Sequence, residues 1–386
     1  MTIKFSNSTS QLKQGGIRAF FDKAAKYPDA IQMAIGEPDI LTPTPIIEAG
    51  YTAMNEGKTH YTSNAGDIAL RTVVSKYLAD YGILVNPDNE IIITCGAMGA
   101  LFQALMCLVN EGDQVIVQDP QWLNYASQIK LFGGTVVRVP VYEEDAFSLK
   151  ADVIRERISN NTKLIILNSP NNPTGAVISQ NDLEQIAQLA CEHDLFVISD
   201  EVYCELLYDG MRHVSIAALP GMKERTLVIN SCSKTFAMTG WRIGFAAGPR
   251  ELISRMTLLQ ENTIACASSF GQEAAKYAFS NRCDIEKMRT LYQRRRDILL
   301  EEIGHIGGLS AQTPKGAFYV FLNCSSYKRS SYDISTDLLE QAGVVTVPGI
   351  CFGDCGEGFI RLAYSNSEEN IRNAMVRIRE FFSRIS

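Results

Sequence analysis

Short, nearly all-apolar runs recur along the middle of the chain: Ile91–Thr94, Gln114–Gln118, Thr135–Val139, Leu164–Asn168, Leu195–Ser199, Thr226–Asn230 and Ile243–Ala247. Most are continuous rather than alternating, the pattern of strands covered on both faces. Between them lie amphipathic stretches, among them Gly99–Val109 and Gln180–His193, with apolar residues at helical spacing. Strands and helices in alternation predict an α/β layered domain with a largely parallel sheet. After residue 285 the character changes. A charged helix over Ile285–Ile303, carrying Arg294, Arg295 and Arg296, precedes a strand at Ala317–Leu322. A further helix, a Gly/Pro-rich loop (Val347–Gly358), a strand and a terminal helix follow. The pattern predicts a large domain over residues 48–285 and a smaller α+β domain built from residues 1–47 and 286–386.

The length of 386 residues exceeds one ordinary core, which agrees with two domains. Hydrophobic residues make up 46% and charged residues 20%, the balance of a globular protein. The net charge of −7 provides no basic face for nucleic acid. Ten cysteines are scattered, several inside apolar stretches such as Leu105–Val109, where a free thiol acts as a small hydrophobe. Cys351 and Cys355 have no second pair and no nearby histidine, so the spacing does not suit zinc. Residues 1–16 lack the apolar core of a signal peptide. No window reaches the ~18 apolar residues of a membrane span. These features lead us to expect reduced cysteines and a cytoplasmic protein with no membrane or nucleic-acid partner. Neither a Gly-x-Gly-x-x-Gly turn nor a Walker phosphate loop is found.

The richest stretch chemically runs from Asn230 to Gly244 and contains Ser231, Ser233, Lys234 and Arg242. It follows a buried strand, so Lys234 leaves the sheet edge where α/β folds place their ligands. A lysine among apolar neighbours has a depressed pKa and serves as an amine nucleophile. Two hydroxyls, a loop and a forked cation are the parts of a phosphate cup. By itself the stretch suits a lysine on a surface turn equally well. Asp200 follows another apolar run, in Ser-Asp-Glu-Val-Tyr203. A carboxylate there is costly unless it meets a cation, although Asp-Glu also caps helices. Asn168-Ser-Pro-Asn-Asn-Pro-Thr-Gly175 reads as a rigid turn that presents the Asn172 side chain as a donor. Gly96-Ala97-Met98-Gly99 lies between a strand and a helix, where small residues let free amides approach a phosphate.

Taken in chain order, with Gly36-Glu-Pro-Asp39 and Tyr61-Thr…Gly66 near the start and Phe359-Ile-Arg-Leu-Ala363 near the end, the segments resemble the class I/II aminotransferases. These are fold-type I enzymes that use pyridoxal 5′-phosphate (PLP), and the resemblance spans nearly the whole chain. It implies a large domain with a mostly parallel seven-stranded sheet sandwiched by helices, plus a smaller α+β domain. It also implies that Lys234 carries the cofactor as an imine. Asp200 would face the pyridine nitrogen, Tyr203 and Asn172 its phenolic oxygen, and Trp122 the ring face. Ser231, Ser233, Arg242 and the amides of Ala97 and Met98 would hold the phosphate. Tyr61 would reach the phosphate of a partner subunit, since the family is built as homodimers with shared sites. Arg361 would bind the substrate α-carboxylate as a bidentate fork, helped by Asn172 and the backbone of Gly36.

The implied reaction moves an amino group from an L-amino acid to a 2-oxo acid by a ping-pong route, with Lys234 as the acid/base in both halves. The donor is left open. Some aspartate-type relatives carry a lysine at the position of Met98 that reads a second carboxylate, and its absence here argues against aspartate. The same cofactor residues would serve a C–S β-lyase or a ring-forming synthase. A PLP-binding regulatory module normally carries an N-terminal DNA-binding domain, and the matching segments here start within about forty residues.

Overall fold

The apolar runs become strands because both their faces find helices. In a computed structural model of the chain, which describes residues 3–10, 20 and 22–385, the strands in chain order are β1 (Ile31–Gln32), β2 (Ile91–Thr94), β3 (Gln114–Asp119), β4 (Thr135–Pro140), β5 (Thr162–Asn168) and β6 (Phe196–Asp200), followed by β7 (Thr226–Ser231), β8 (Gly244–Ala247), β9 (Tyr319–Asn323), β10 (Val344–Val345), β11 (Val347–Pro348) and β12 (Phe359–Ala363). The longer helices are α1 (Thr44–Asn55), α2 (Ile68–Ala79), α3 (Gly96–Leu108), α4 (Asn124–Leu131), α5 (Gln180–Glu192), α6 (Arg250–Glu261), α7 (Ser269–Asn281), α8 (Ile285–Gly304), α9 (Ser331–Ala342) and α10 (Glu368–Ile385).

Seven strands form the central sheet in the order β2-β8-β7-β6-β5-β3-β4. Only β8 runs antiparallel to its neighbours. Val115, Val117, Leu164, Ile166 and Ile198 face Ala100, Leu101, Ala104 and Leu105 of α3. Ile116, Ile165, Leu167 and Val197 face the opposite side, against Leu183, Ile186 and Leu189 of α5. Each of these larger side chains, once buried, contributes roughly 1.5–3 kcal/mol, so the sheet is fixed from both sides. No helix among the described residues is long and apolar enough to cross a membrane.

The later part of the chain builds an antiparallel sheet, β11-β12-β9, and a short parallel pair, β1-β10. Here α8 and α10 share one core with β9 and β12, through Tyr292, Leu299, Leu322, Ile360, Met375 and Phe381. Several element boundaries differ from the sequence reading. Helix α3 starts at Gly96, three residues before the expected Gly99, because a glycine with φ +70° lets the chain turn directly off β2. Strand β9 starts at Tyr319, since Ala317 adopts φ +59°. The loop Val347–Gly358 carries the short strand β11 and two 3₁₀ turns, Gly349–Phe352 and Asp354–Gly356.

The parallel strands deliver polar residues to one edge. β3, β5, β6 and β7 end at Asp119, Asn168, Asp200 and Ser231, all buried. Apolar runs that finish on buried polar groups leave those groups needing partners, and the carboxyl edge of such a sheet is where ligands bind.

Candidate active site

Above that edge lies a cavity of about 850 Å³, lined by residues of the central sheet and of β9 and β12. Gly36, Ala97, Met98, Trp122, Asn172, Asp200, Tyr203, Ser231, Ser233, Lys234, Arg242 and Arg361 all face it. Tyr61 is the exception among the expected residues: its side chain is 88% exposed, and it does not line the cavity of its own subunit.

Lys234 sits in a single helical turn, Cys232–Thr235, directly after β7. Its ammonium donates to the carbonyl of Gly36 and lies 5.7 Å from the Phe318 ring centroid. Burial lowers its pKa to about 8; Glu37 opposes the shift, while Arg361 and Arg242 add to it. Asp200 ends the neighbouring strand. Burial raises its pKa to about 6, against hydrogen bonds to the carboxylate from Tyr125 (2.6 Å) and the amide of Val202 (3.3 Å). Asp200 therefore presents a carboxylate that a cation in the cavity would keep ionised.

One end of the cavity is made for an anion. The amides of Ala97 and Met98 lie at the N-terminus of α3, where no side chain caps the helix. The Ser231 hydroxyl accepts from the Ser233 amide at 3.3 Å. Arg242 holds φ +57° and donates to the Thr239 carbonyl at 2.9 Å. Close packing holds the cup together: a Cβ on Gly244 would lie 2.5 Å from the Gly96 carbonyl carbon and 2.6 Å from the Ala97 nitrogen. Trp122 packs edge-on against Tyr125, with centroids 5.3 Å apart.

Arg361, from the middle of β12, is fully buried at the other end. It donates to Asn172 Oδ1 at 2.8 Å and to the carbonyl of Ala34 at 2.7 Å, and its Nε has no partner. Its hydrogen bonds go to neutral oxygens. The ring of Tyr319 lies 4.4 Å and that of Phe352 4.9 Å from the guanidinium carbon. Desolvation lowers its pKa, so this cation calls for an anion from outside. Asn172 uses its side-chain oxygen on Arg361, which leaves its NH₂ group as the donor.

A family model described as "Aminotransferase class I and II" matches residues 28–378. The chain belongs to that family. The aromatic-amino-acid aminotransferase 2 of Thermococcus litoralis is 39% identical over 97% of both chains, and the aspartate aminotransferase of Pyrococcus abyssi is 41% identical over 94% of both. The solved structure of the aspartate aminotransferase of Thermus thermophilus with maleate superposes with a TM-score of 0.94 at 38% identity, over 98% of this chain and 100% of the other. This aminotransferase is thus a PLP-dependent enzyme of amino-acid transamination, on the fold-type I scaffold that the order of its motifs implies. The cofactor fits the residues present: a buried amine, a buried carboxylate calling for a cation, and an anion cup share one cavity. The sequence reading missed Tyr125 and Tyr319. Aromatic residues at those positions read as ordinary core, and only the folded chain brings them to Asp200 and Arg361.

Proposed function

We propose that this aminotransferase takes its amino group from an L-amino acid with an uncharged side chain, aromatic ones included, and passes it to a 2-oxo acid. The observation that carries the reading is the placing of Arg361 and Lys234 on one stretch of backbone. Arg361 donates to Ala34 and Lys234 to Gly36, two residues apart, a span of about 7 Å. A carboxylate on the Arg361 fork therefore brings the adjoining Cα to the Lys234 amine. Lys234, its charge weakened by burial, accepts the Cα proton and releases it again, so one group serves both half-reactions. Bound PLP supplies the electron sink that weakens the Cα–H bond. Asp200 holds the negative charge that favours a protonated ring nitrogen, while Tyr203 and Asn172 donate toward the phenolic oxygen. Trp122 covers the ring face. Ser231, Ser233, Arg242 and the amides of Ala97 and Met98 bind the phosphate, and the backbone of Gly36 helps Arg361 and Asn172 to position the substrate.

The uncharged donor is supported by Met98. Its thioether meets the side-chain amide of Gln128 at 2.9 Å and of Asn124 at 3.9 Å, beside Trp122 and Leu123 in the cavity wall. A domain division at residues 47/48 and 285/286 is supported by the sheets: the central one is built from strands between residues 91 and 247, while the two smaller ones pair strands before residue 48 or after residue 285. A homodimer is supported by exposed Leu41, Ile47, Tyr51, Met54, Tyr61, Ile264, Phe270 and Tyr277. They lie on or beside α1 and α7, which pack together through Gly50 against Ala274; apolar exposure on this scale marks an interface.

The test is the absorption spectrum of the PLP-loaded protein against a panel of amino acids. Bleaching of the yellow band by phenylalanine, tyrosine or an aliphatic donor, and its return with a 2-oxo acid, is the expected result. Bleaching by aspartate alone would overturn the donor class. Bleaching accompanied by pyruvate and ammonia release would replace transamination with β-elimination.

A further inference from the structure

Tyr319 opens β9 and lies wholly inside the protein. Two different atoms of its side chain touch two different parts of the site. Its ring face lies 4.4 Å from the Arg361 guanidinium carbon, with Phe352 against the same guanidinium at 4.9 Å. Its hydroxyl lies 2.9 Å from the hydroxyl of Tyr203, another buried phenol, with the two rings nearly perpendicular at 85°. The chain makes room for that hydroxyl: a Cβ on Gly36 would come within 2.5 Å of it. A phenol carries one proton. If Tyr203 spends its own on the phenolic oxygen of the cofactor, its lone pair is free to accept the proton of Tyr319. A donor that itself accepts a hydrogen bond is polarised and donates more strongly.

We infer that Tyr319 is a positioning residue with two separable duties: its ring holds the Arg361 fork flat for the substrate carboxylate, and its hydroxyl strengthens the hydrogen bond that Tyr203 makes to the cofactor. One rigid side chain thereby ties recognition of the carboxylate to the electronic state of the cofactor. The inference rests on the role proposed for Tyr203, and the two are tested apart. The holoenzymes of wild type, Tyr319→Phe and Tyr319→Leu are titrated with pH while the cofactor's absorption band is followed. Binding of the monocarboxylate 3-phenylpropionate is read from the same band.

In Tyr319→Phe the ring remains and the hydroxyl is lost. The midpoint of the pH titration should rise by a few tenths of a unit as the phenolic oxygen loses support, with carboxylate binding little changed. In Tyr319→Leu the midpoint should rise equally, and 3-phenylpropionate should bind roughly tenfold more weakly as the cation–π contact goes. A midpoint unmoved in Tyr319→Phe overturns the hydroxyl's duty. Equal carboxylate affinity in Phe and Leu variants overturns the ring's. Thermal melting of the Leu variant separates these outcomes from misfolding, and the Phe variant, which keeps the packing, decides the hydroxyl's duty whatever the Leu variant does. A wild-type protein that forms no pH-sensitive band with PLP would overturn the proposed cofactor site itself and not this inference.

Discussion

A free lysine is charged at neutral pH, and charge makes its nitrogen useless as a nucleophile. At Lys234 burial brings the pKa to about 8, so the neutral amine grows as pH rises through 8 rather than through the ordinary value near 10.4. The rate at which the cofactor-free protein takes up PLP should therefore climb with pH around a midpoint of about 8, measured by stopped-flow absorbance. A midpoint above 10 would mean that the amine is solvated. The same burial acts on Asp200 in the other direction, raising its pKa to about 6; the two groups are pushed toward each other by one cause. Behind Asp200, the next residue, Glu201, is buried too, accepting from Ser199 at 2.8 Å and Ser215 at 2.6 Å and paired with His213 at 2.7 Å. This network fixes the end of β6 and with it the aim of the Asp200 carboxylate.

At the scale of elements, the anion cup depends on how closely β8 approaches the start of α3. Gly244→Ala would push its methyl into the backbone of Gly96 and Ala97, a clash costing roughly 1–3 kcal/mol. PLP affinity, from equilibrium absorbance titration, is expected to fall about tenfold or more, as the strain converts. A variant that binds PLP like wild type would show that the helix start does not hold the phosphate. This contact also shows what sequence can carry. The strands were legible because a run such as Ile91–Thr94 is almost wholly apolar, and Asp200 at the end of its apolar run marked a carboxylate in need of a cation. Lys234, Asp200 and Asn172 could be named because their motifs are local, whereas Arg361 rested on the family resemblance alone. The approach of Gly244 to Gly96, or of Tyr319 to Tyr203, is a fact of topology. No periodicity along β9 distinguishes a tyrosine that meets the site from one that merely fills the core.

At the scale of the whole molecule, Tyr61 stands apart from the cavity of its own chain and beside a broad apolar face. If it completes a neighbour's site, Lys234→Ala and Tyr61→Ala proteins, each impaired alone, should regain activity when mixed and allowed to exchange subunits. Each mixed pair then holds one site with both residues intact. Absence of recovery, with exchange verified by native mass spectrometry, would place Tyr61 outside the shared site. A different consequence follows from where Arg361 makes its bonds. It reaches back 327 residues in sequence to Ala34, and β1 pairs in parallel with β10, Ile31 opposite Val344. On the ribosome, the segment bearing Gly36 emerges early and must wait, unpaired, while the whole central sheet is synthesised and folds. The carboxylate pocket closes only when the last strand arrives, so a nascent chain released early would carry an assembled lysine and no means of holding a substrate.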